Sequence, residues 1–335
     1  MSILTSVTPK MKVFNHYVEK CMPFLTPLGV VAGLILGKHI SWMKPAVNYL
    51  FGFLTFTGAL TIGLKDFGQT LKKPKYLLCF ALCSFIVMPF LTIILASAIF
   101  PDSPEIVSGY ALVRAIPTAV VGTIWTSIFS GNMAIALTVI VLDTILAPFI
   151  TPFMLKLLTH ASIPLDTLGM MKSLCIMVVI PSILGMLCNQ YKKGAVNKEI
   201  GPCLKPFSKL CLVFVIMINC SQVSSRLINN ASWQYVSIGL VSLAIALLGY
   251  VVGYFGSKIF SFDRNDSVAL TFAVAMRNVS AALVLAINYL PPAAALPVIF
   301  GIVFQQSSCA VVGNVIFSKK KDFPQKEQQV VCKPV

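Results

Sequence analysis

Ala273-Val274-Ala275-Met276-Arg277-Asn278 is the stretch that decides how this chain folds. Arg277 is the only charged residue in the 52 residues from Ser267 to Ser318. A guanidinium stays protonated in proteins, and at bilayer depth it costs roughly 2.5 to 3.5 kcal/mol even on lenient insertion scales. Such a group needs a partner, a water-filled cavity or a ligand. A second stretch matches it: from Ile106 to Leu155 the only charges are Arg114 and Asp143. Two long apolar hairpins, each with a buried arginine, point to a transporter with its binding site at mid-membrane.

Composition supports the same class. Of 335 residues, 57% are hydrophobic and 11% charged, against about 25% charged in a soluble domain. The net charge of +15 does not signal nucleic acid, because the lysines fall in short connections between apolar runs. They read as orientation signals and contacts with the lipid bilayer. The ten cysteines include Cys79 and Cys83 at i, i+4, with no histidine or carboxylate beside them, and read as buried thiols. Met1 to Lys20 is polar and basic, so no cleavable signal is expected. His16, His39 and His160 lie at or beyond span ends, which leaves no histidine proton relay.

About 20 apolar residues cross the hydrocarbon as a helix. The runs predict an all-α polytopic membrane protein with ten spans, near 22–40, 46–64, 76–99, 105–129, 133–155, 168–188, 207–223, 233–257, 267–287 and 293–317. Residues 1–20 form an N-terminal segment, 21–318 the transporter domain and 319–335 a basic tail. With the N-terminus inside, 19 of the 26 lysines and arginines lie in internal segments and 5 outside, with Arg114 and Arg277 in the membrane. That asymmetry puts both termini in the cytoplasm. Ten spans divide into inverted five-helix repeats, about 21–158 and 165–318. Span four is interrupted at Pro117, and span nine carries Arg277-Asn278 at its middle. Interrupted segments at matching places in two halves are the best sequence pointer to a transporter site.

In Arg114-Ala115-Ile116-Pro117-Thr118 the proline cannot donate its backbone bond, so the helix breaks or kinks there. The freed groups need protein, water or ligand. Asp143 is the only carboxylate in the membrane core, either as partner to an arginine or as a protonatable coupling group; partnership is preferred. One aspartate cannot neutralise two arginines, so the remaining positive charge argues for an anionic ligand. Purely structural pairing is the competing reading. Ser84, Asn219, Gln222, Gln305 and Gln306 read as contacts between helices.

The chain resembles the bile acid:sodium symporter family over roughly residues 20 to 318. The resemblance is carried by Lys73-Pro74-Lys75, Ser84, Met88-Pro89, Pro117, Gly131-Asn132 and Ala275-Met276-Arg277-Asn278. It implies a core and a panel domain, with spans four and nine unwound and crossing near mid-membrane, and organic anions as substrates. Sodium-dependent relatives carry Glu-x-x-x-Gln-Asn in span nine, where this chain has Ala273, Arg277 and Asn278. They show Ser-Asn after the proline, where Gly122-Thr123 stands here, and a glutamine in span three, where Ser84 stands. A fixed guanidinium repels sodium at close range, so sodium is not expected at these positions.

The leading expectation is a bacterial inner-membrane carrier of a small organic anion, working by alternating access without a cofactor. Arg277 and Arg114 would bind the carboxylate, with Thr118, Thr123 and Asn278 as hydrogen-bond partners. Sodium symport is the first alternative, and a non-transporting receptor the second. An intramembrane enzyme is not expected, for want of a metal motif, a His–carboxylate pair in the membrane or a phosphate loop.

Overall fold

Within the bilayer a backbone must satisfy its own hydrogen bonds, and each regular element among the described residues is a helix. The structure, a computed structural model, describes residues 2–61, 73–159, 165–191, 196, 199–229 and 233–317. Lys65, Lys72, His160, Lys192, Lys193, Lys198 and the basic tail 319–335, all used in the sequence reading, lie outside the described residues.

Helix α1 spans Ser2–Leu36, so the expected N-terminal segment and first span share one helix. Helix α2 is Ala46–Ala59 and α3 is Pro74–Ile99. In α3 the turns at Leu82–Val87 widen to π geometry just before Pro89, which relieves the clash and missing donor that a proline brings. Then come α4 (Pro104–Ala115), α5 (Gly122–Ile128) and α6 (Met133–Leu158). The second half comprises α7 (Thr167–Tyr191), α8 (Gly201–Asn229), α9 (Trp233–Ile259), α10 (Arg264–Ala275), α11 (Val279–Tyr289) and α12 (Ala295–Phe317). Among the described residues six stretches are long and apolar enough to cross a membrane, in α3, α6, α7, α8, α9 and α12; α2 and α11 are shorter apolar helices. Large apolar side chains on their outer faces, such as Phe90, Phe153 and Phe255, are exposed, as lipid contact requires.

Two helix breaks shape the centre. Helix α4 stops at Ala115 because Ile116 precedes Pro117 and turns extended, at φ −71° and ψ 149°. Helix α10 stops at Ala275, with Met276 extended at φ −94° and ψ 98°. The Asn278 side chain then caps α11 by accepting from the Ala281 amide at 3.3 Å. The two extended links cross as a short antiparallel bridge, Thr118 opposite Arg277. Ala119 N–H donates to the Met276 carbonyl and Asn278 N–H to the Pro117 carbonyl, each at 2.8 Å. Backbone groups freed by one break are thus satisfied by the other.

Packing sorts the helices into two groups. Helices α1, α2, α7 and α8 pack on one another, and α3 to α6 pack with α9 to α12. In the first group Gly33 lies so close to the Met217 carbonyl that a side chain there would overlap it. In the second, the turn between α5 and α6 puts Ser130 at φ 56°. A Cβ on the following Gly131 would come within 2.7 Å of Thr126 and Val268, so the turn demands glycine. Asp266 ties the start of α10 to its neighbours, accepting from Lys73 Nζ at 2.9 Å and Asn132 Nδ2 at 2.7 Å.

Candidate functional site

Arg277 sits in the crossing, 1% exposed. Its Nη1 donates to Asp143 Oδ2 at 3.2 Å and to Thr118 Oγ1 at 3.0 Å, and its Nη2 donates to the Arg114 carbonyl at 3.1 Å. The guanidinium also lies 5.7 Å from the centroid of the Phe85 ring, within cation–π range. Asp143, on α6, is equally buried. Its Oδ2 accepts from the Thr118 amide at 2.7 Å and lies 2.8 Å from the Thr118 hydroxyl. That hydroxyl is also 3.1 Å from the Ala273 carbonyl, and its single proton serves one of the two. The pair is desolvated on both sides. Removing one partner of such a pair typically costs about 3–5 kcal/mol.

Gln305 on α12 holds the same residue by its backbone. Its Oε1 accepts from the Arg277 amide at 3.0 Å, and its Nε2 donates to the Arg277 carbonyl at 2.8 Å. The sequence reading assigned Gln305 only to contact between helices. Its spacing from the break carries no signal that it would grip the crossing.

Arg114 is placed differently. It is 2% exposed, and its Nε and Nη1 have no hydrogen-bond partner among the described residues. Gly249 makes room for it: a Cβ there would lie 3.3 Å from Arg114 Nη1 and 3.0 Å from the Ala275 Cα. The guanidinium therefore sits beside the C-terminal end of α10 and at the C-terminal end of its own helix α4. Helix C-termini carry partial negative charge, which a cation offsets.

A cavity of about 350 Å³ reaches the crossing from between the two helix groups. Thr118, Arg277 and Asn278 line it at the crossing, Thr123 and Thr144 beside them, and Lys205 and Lys209 on α8. Arg114 and Asp143 are not on its wall, and among the described residues neither is any other acidic residue. Thr123 spends its hydroxyl proton on the Val120 carbonyl at 2.8 Å, which leaves its oxygen lone pairs as acceptors. The structure thus brings Arg277, Asn278, Thr118 and Thr123 to one cavity and sets Arg114 and Asp143 behind it. Sequence reasoning missed Lys205 and Lys209, which it counted only as orientation signals.

The positions where sodium-dependent relatives place oxygen ligands offer little here. Ala273 contributes only its carbonyl, already within reach of Thr118. The Ser84 hydroxyl is buried without a partner among the described residues. Gly122 has no side chain, and Met276 and the Phe272 carbonyl lie 3.6 Å from where its Cβ would be.

The sequence profile of the Sodium Bile acid symporter family matches residues 48–230. This chain belongs to that family. The symporter-family relatives include the "Uncharacterized protein YbaS" of Bacillus subtilis (strain 168), 36% identical over 295 residues, covering 88% of this chain and 96% of that one. The "Probable sodium/metabolite cotransporter BASS1, chloroplastic" of Arabidopsis thaliana is 29% identical over 84% of this chain and 71% of its own length. The "Uncharacterized sodium-dependent transporter YocS" of Bacillus subtilis (strain 168) is 22% identical over 84% of this chain and 86% of its own. The solved structure of the sodium proton antiporter MjNhaP1 from Methanocaldococcus jannaschii aligns with a TM-score of 0.51 at 15% identity, covering 93% of this chain and 96% of that one. That likeness is one of fold. This symporter-family member is an integral membrane transporter.

Proposed function

We propose that this protein is a secondary carrier of small organic anions that operates by alternating access and needs no sodium at the crossing. One observation carries the reading: among the described residues, the cavity at the crossing is lined by Arg277, Lys205 and Lys209 and by no carboxylate. Arg277 is bonded to three oxygens contributed by Asp143, Thr118 and Arg114. A tethered guanidinium thereby stands where a free cation would have to sit. The N-terminus of α11 also opens on the cavity and adds positive potential.

On this reading the chain has ten spans in two inverted repeats, about 21–158 and 165–318, with both termini cytoplasmic in a bacterial plasma membrane. Helices α4 with α5, and α10 with α11, are the broken fourth and ninth spans. The two helix groups are the bodies that rock, and the cavity between them is one access path. Sodium-coupled symport is the second reading, favoured by the names of the BASS1 and YocS relatives.

The test is uptake of labelled organic anions into proteoliposomes, wild type against Arg277→Gln, with and without a sodium gradient. Sodium-independent uptake that the variant loses is the expected result. Uptake that requires sodium and survives the substitution would return the protein to sodium symport.

A further inference from the structure

We infer that the first part of α7, Thr167–Leu174, is the gate of a second access path, latched to α11 by Tyr289 and hinged on the turns that follow. The inference rests on the carrier reading above, in which the cavity is one access path and a second must open in turn. The cavity touches α11 at its start, at Val279 and Ser280, and touches α8 near its start, from Lys205 to Leu212. Tyr289 ends α11, about 16 Å farther along the helix at 1.5 Å per residue. The latch therefore lies on the side of the crossing that the cavity does not reach.

Tyr289 joins the two helix groups by side-chain hydrogen bonds. Its hydroxyl donates to the Gly169 carbonyl at 2.8 Å and accepts from the Ser173 hydroxyl. Gly169 permits the approach, because a Cβ there would lie 2.9 Å from Tyr289 Cε1. Asp166 fixes the same turn by accepting from the Gly169 amide at 2.8 Å. Tyr289, Gly169 and Ser173 are each half-buried, so the latch sits at the edge of the packed region. Deeper in, the seam is apolar. Met170, Leu174 and Met177 of α7 are buried in one core with Ala282, Leu285 and Ala286 of α11, and those three share a helix face with Tyr289. The seam excludes water, and the tyrosine fixes its register.

The hinge is in α7 itself. Cys175–Val179 are wound in π geometry just before Pro181. Proline offers no amide to the preceding turn, and such widened turns are where helices bend. Val178 within these turns and Ser182 just beyond Pro181 are on the cavity wall. One helix thus carries the latch at its start and the hinge beside the cavity. Swinging Thr167–Leu174 away from Tyr289 opens the far side and leaves the Arg277 bonds to Thr118 and Asp143 intact, since these lie within the other helix group.

The experiment uses Tyr289→Phe, which removes the latch hydroxyl and keeps the ring, and Ser173→Ala, which removes one of its two bonds. Ala286→Cys supplies a reporter thiol on the seam in wild type and in each variant. Its reaction with a membrane-impermeant maleimide in nanodiscs is followed by peptide mass spectrometry, which separates it from the native cysteines. Exchange of labelled lactate and pantoate across proteoliposomes is measured on the same proteins without the reporter. Only preparations whose melting matches that of their parent enter the comparison, and Ser173→Ala carries the test if Tyr289→Phe fails to fold. The expected result is reporter labelling about tenfold faster in Tyr289→Phe, as loss of two hydrogen bonds from the closed state implies. Ser173→Ala should fall between, and anion exchange should quicken in the same order. Faster labelling with unchanged exchange reveals local loosening only and overturns the gate. Wild-type exchange, with labelling and exchange both unmoved by the substitutions, overturns the gate and keeps the carrier reading. Faster labelling without exchange of either anion in any of the proteins overturns both and leaves Tyr289 a structural clasp.

Discussion

Arg277 and Arg114 are buried alike and partnered unlike. Arg277 has a carboxylate, a hydroxyl, a carbonyl and an aromatic face around its guanidinium. Arg114 keeps two nitrogens without a partner among the described residues. The difference follows from where each stands relative to its break. Arg277 lies within the extended link, so its backbone is free to pair with Thr118 and its side chain turns toward α6. Arg114 lies on the last turn of α4, where its carbonyl serves Arg277 and its side chain meets the end of α10. One arginine fastens the crossing, and the other offsets the helix ends that meet there.

Three substitutions probe that contrast. Asp143→Asn should have the largest effect, about 3–5 kcal/mol of destabilisation, because it strips the charge partner from a desolvated guanidinium. Thermal melting of detergent-purified protein would show it. Pairing Asp143→Asn with Arg277→Gln should recover part of the loss, since neighbours in one network are not additive. Additive losses would mean that Arg277 draws little from Asp143.

Gln305→Leu comes next. It leaves the Arg277 amide and carbonyl without their partner, at a cost of about 1–3 kcal/mol for buried polar groups. Faster hydrogen exchange at the amides of residues 276–279 is the expected signature. Unchanged exchange would show that the bridge to Thr118 alone holds the link. Arg114→Met should have the smallest effect, leaving melting almost unaltered or slightly higher, because a buried cation with no carboxylate partner among the described residues is replaced by an apolar side chain of similar length. A drop as large as that of Arg277→Met would erase the contrast and reveal a strong partner for Arg114.

The helix breaks were legible because they have local causes. Pro117 forbids continuation, and Asn278 is a strong cap residue. The Arg277–Asp143 pairing was legible in outline, since a lone carboxylate among apolar spans has few charges to meet. Which arginine it chose was not, because that depends on how two links 159 residues apart cross. Lys205 and Lys209 were read as part of a charge asymmetry. Nothing in their spacing distinguishes a lysine facing headgroups from one facing a cavity, and only the packing of α8 against α1 and α2 separates the two. Gln305 likewise looked like any polar residue on an apolar helix.

The tethered cation at the crossing has an energetic consequence on the proposed reading. A diffusible ion enters on one side, leaves on the other and transfers the work stored in its gradient to the substrate. Arg277 is part of the chain and returns with it in every cycle, so it contributes no such work. A carrier built this way can equilibrate its anion only against the anion's own concentration difference and the membrane voltage. With the cell interior negative, that balance drives anions outward and opposes their accumulation.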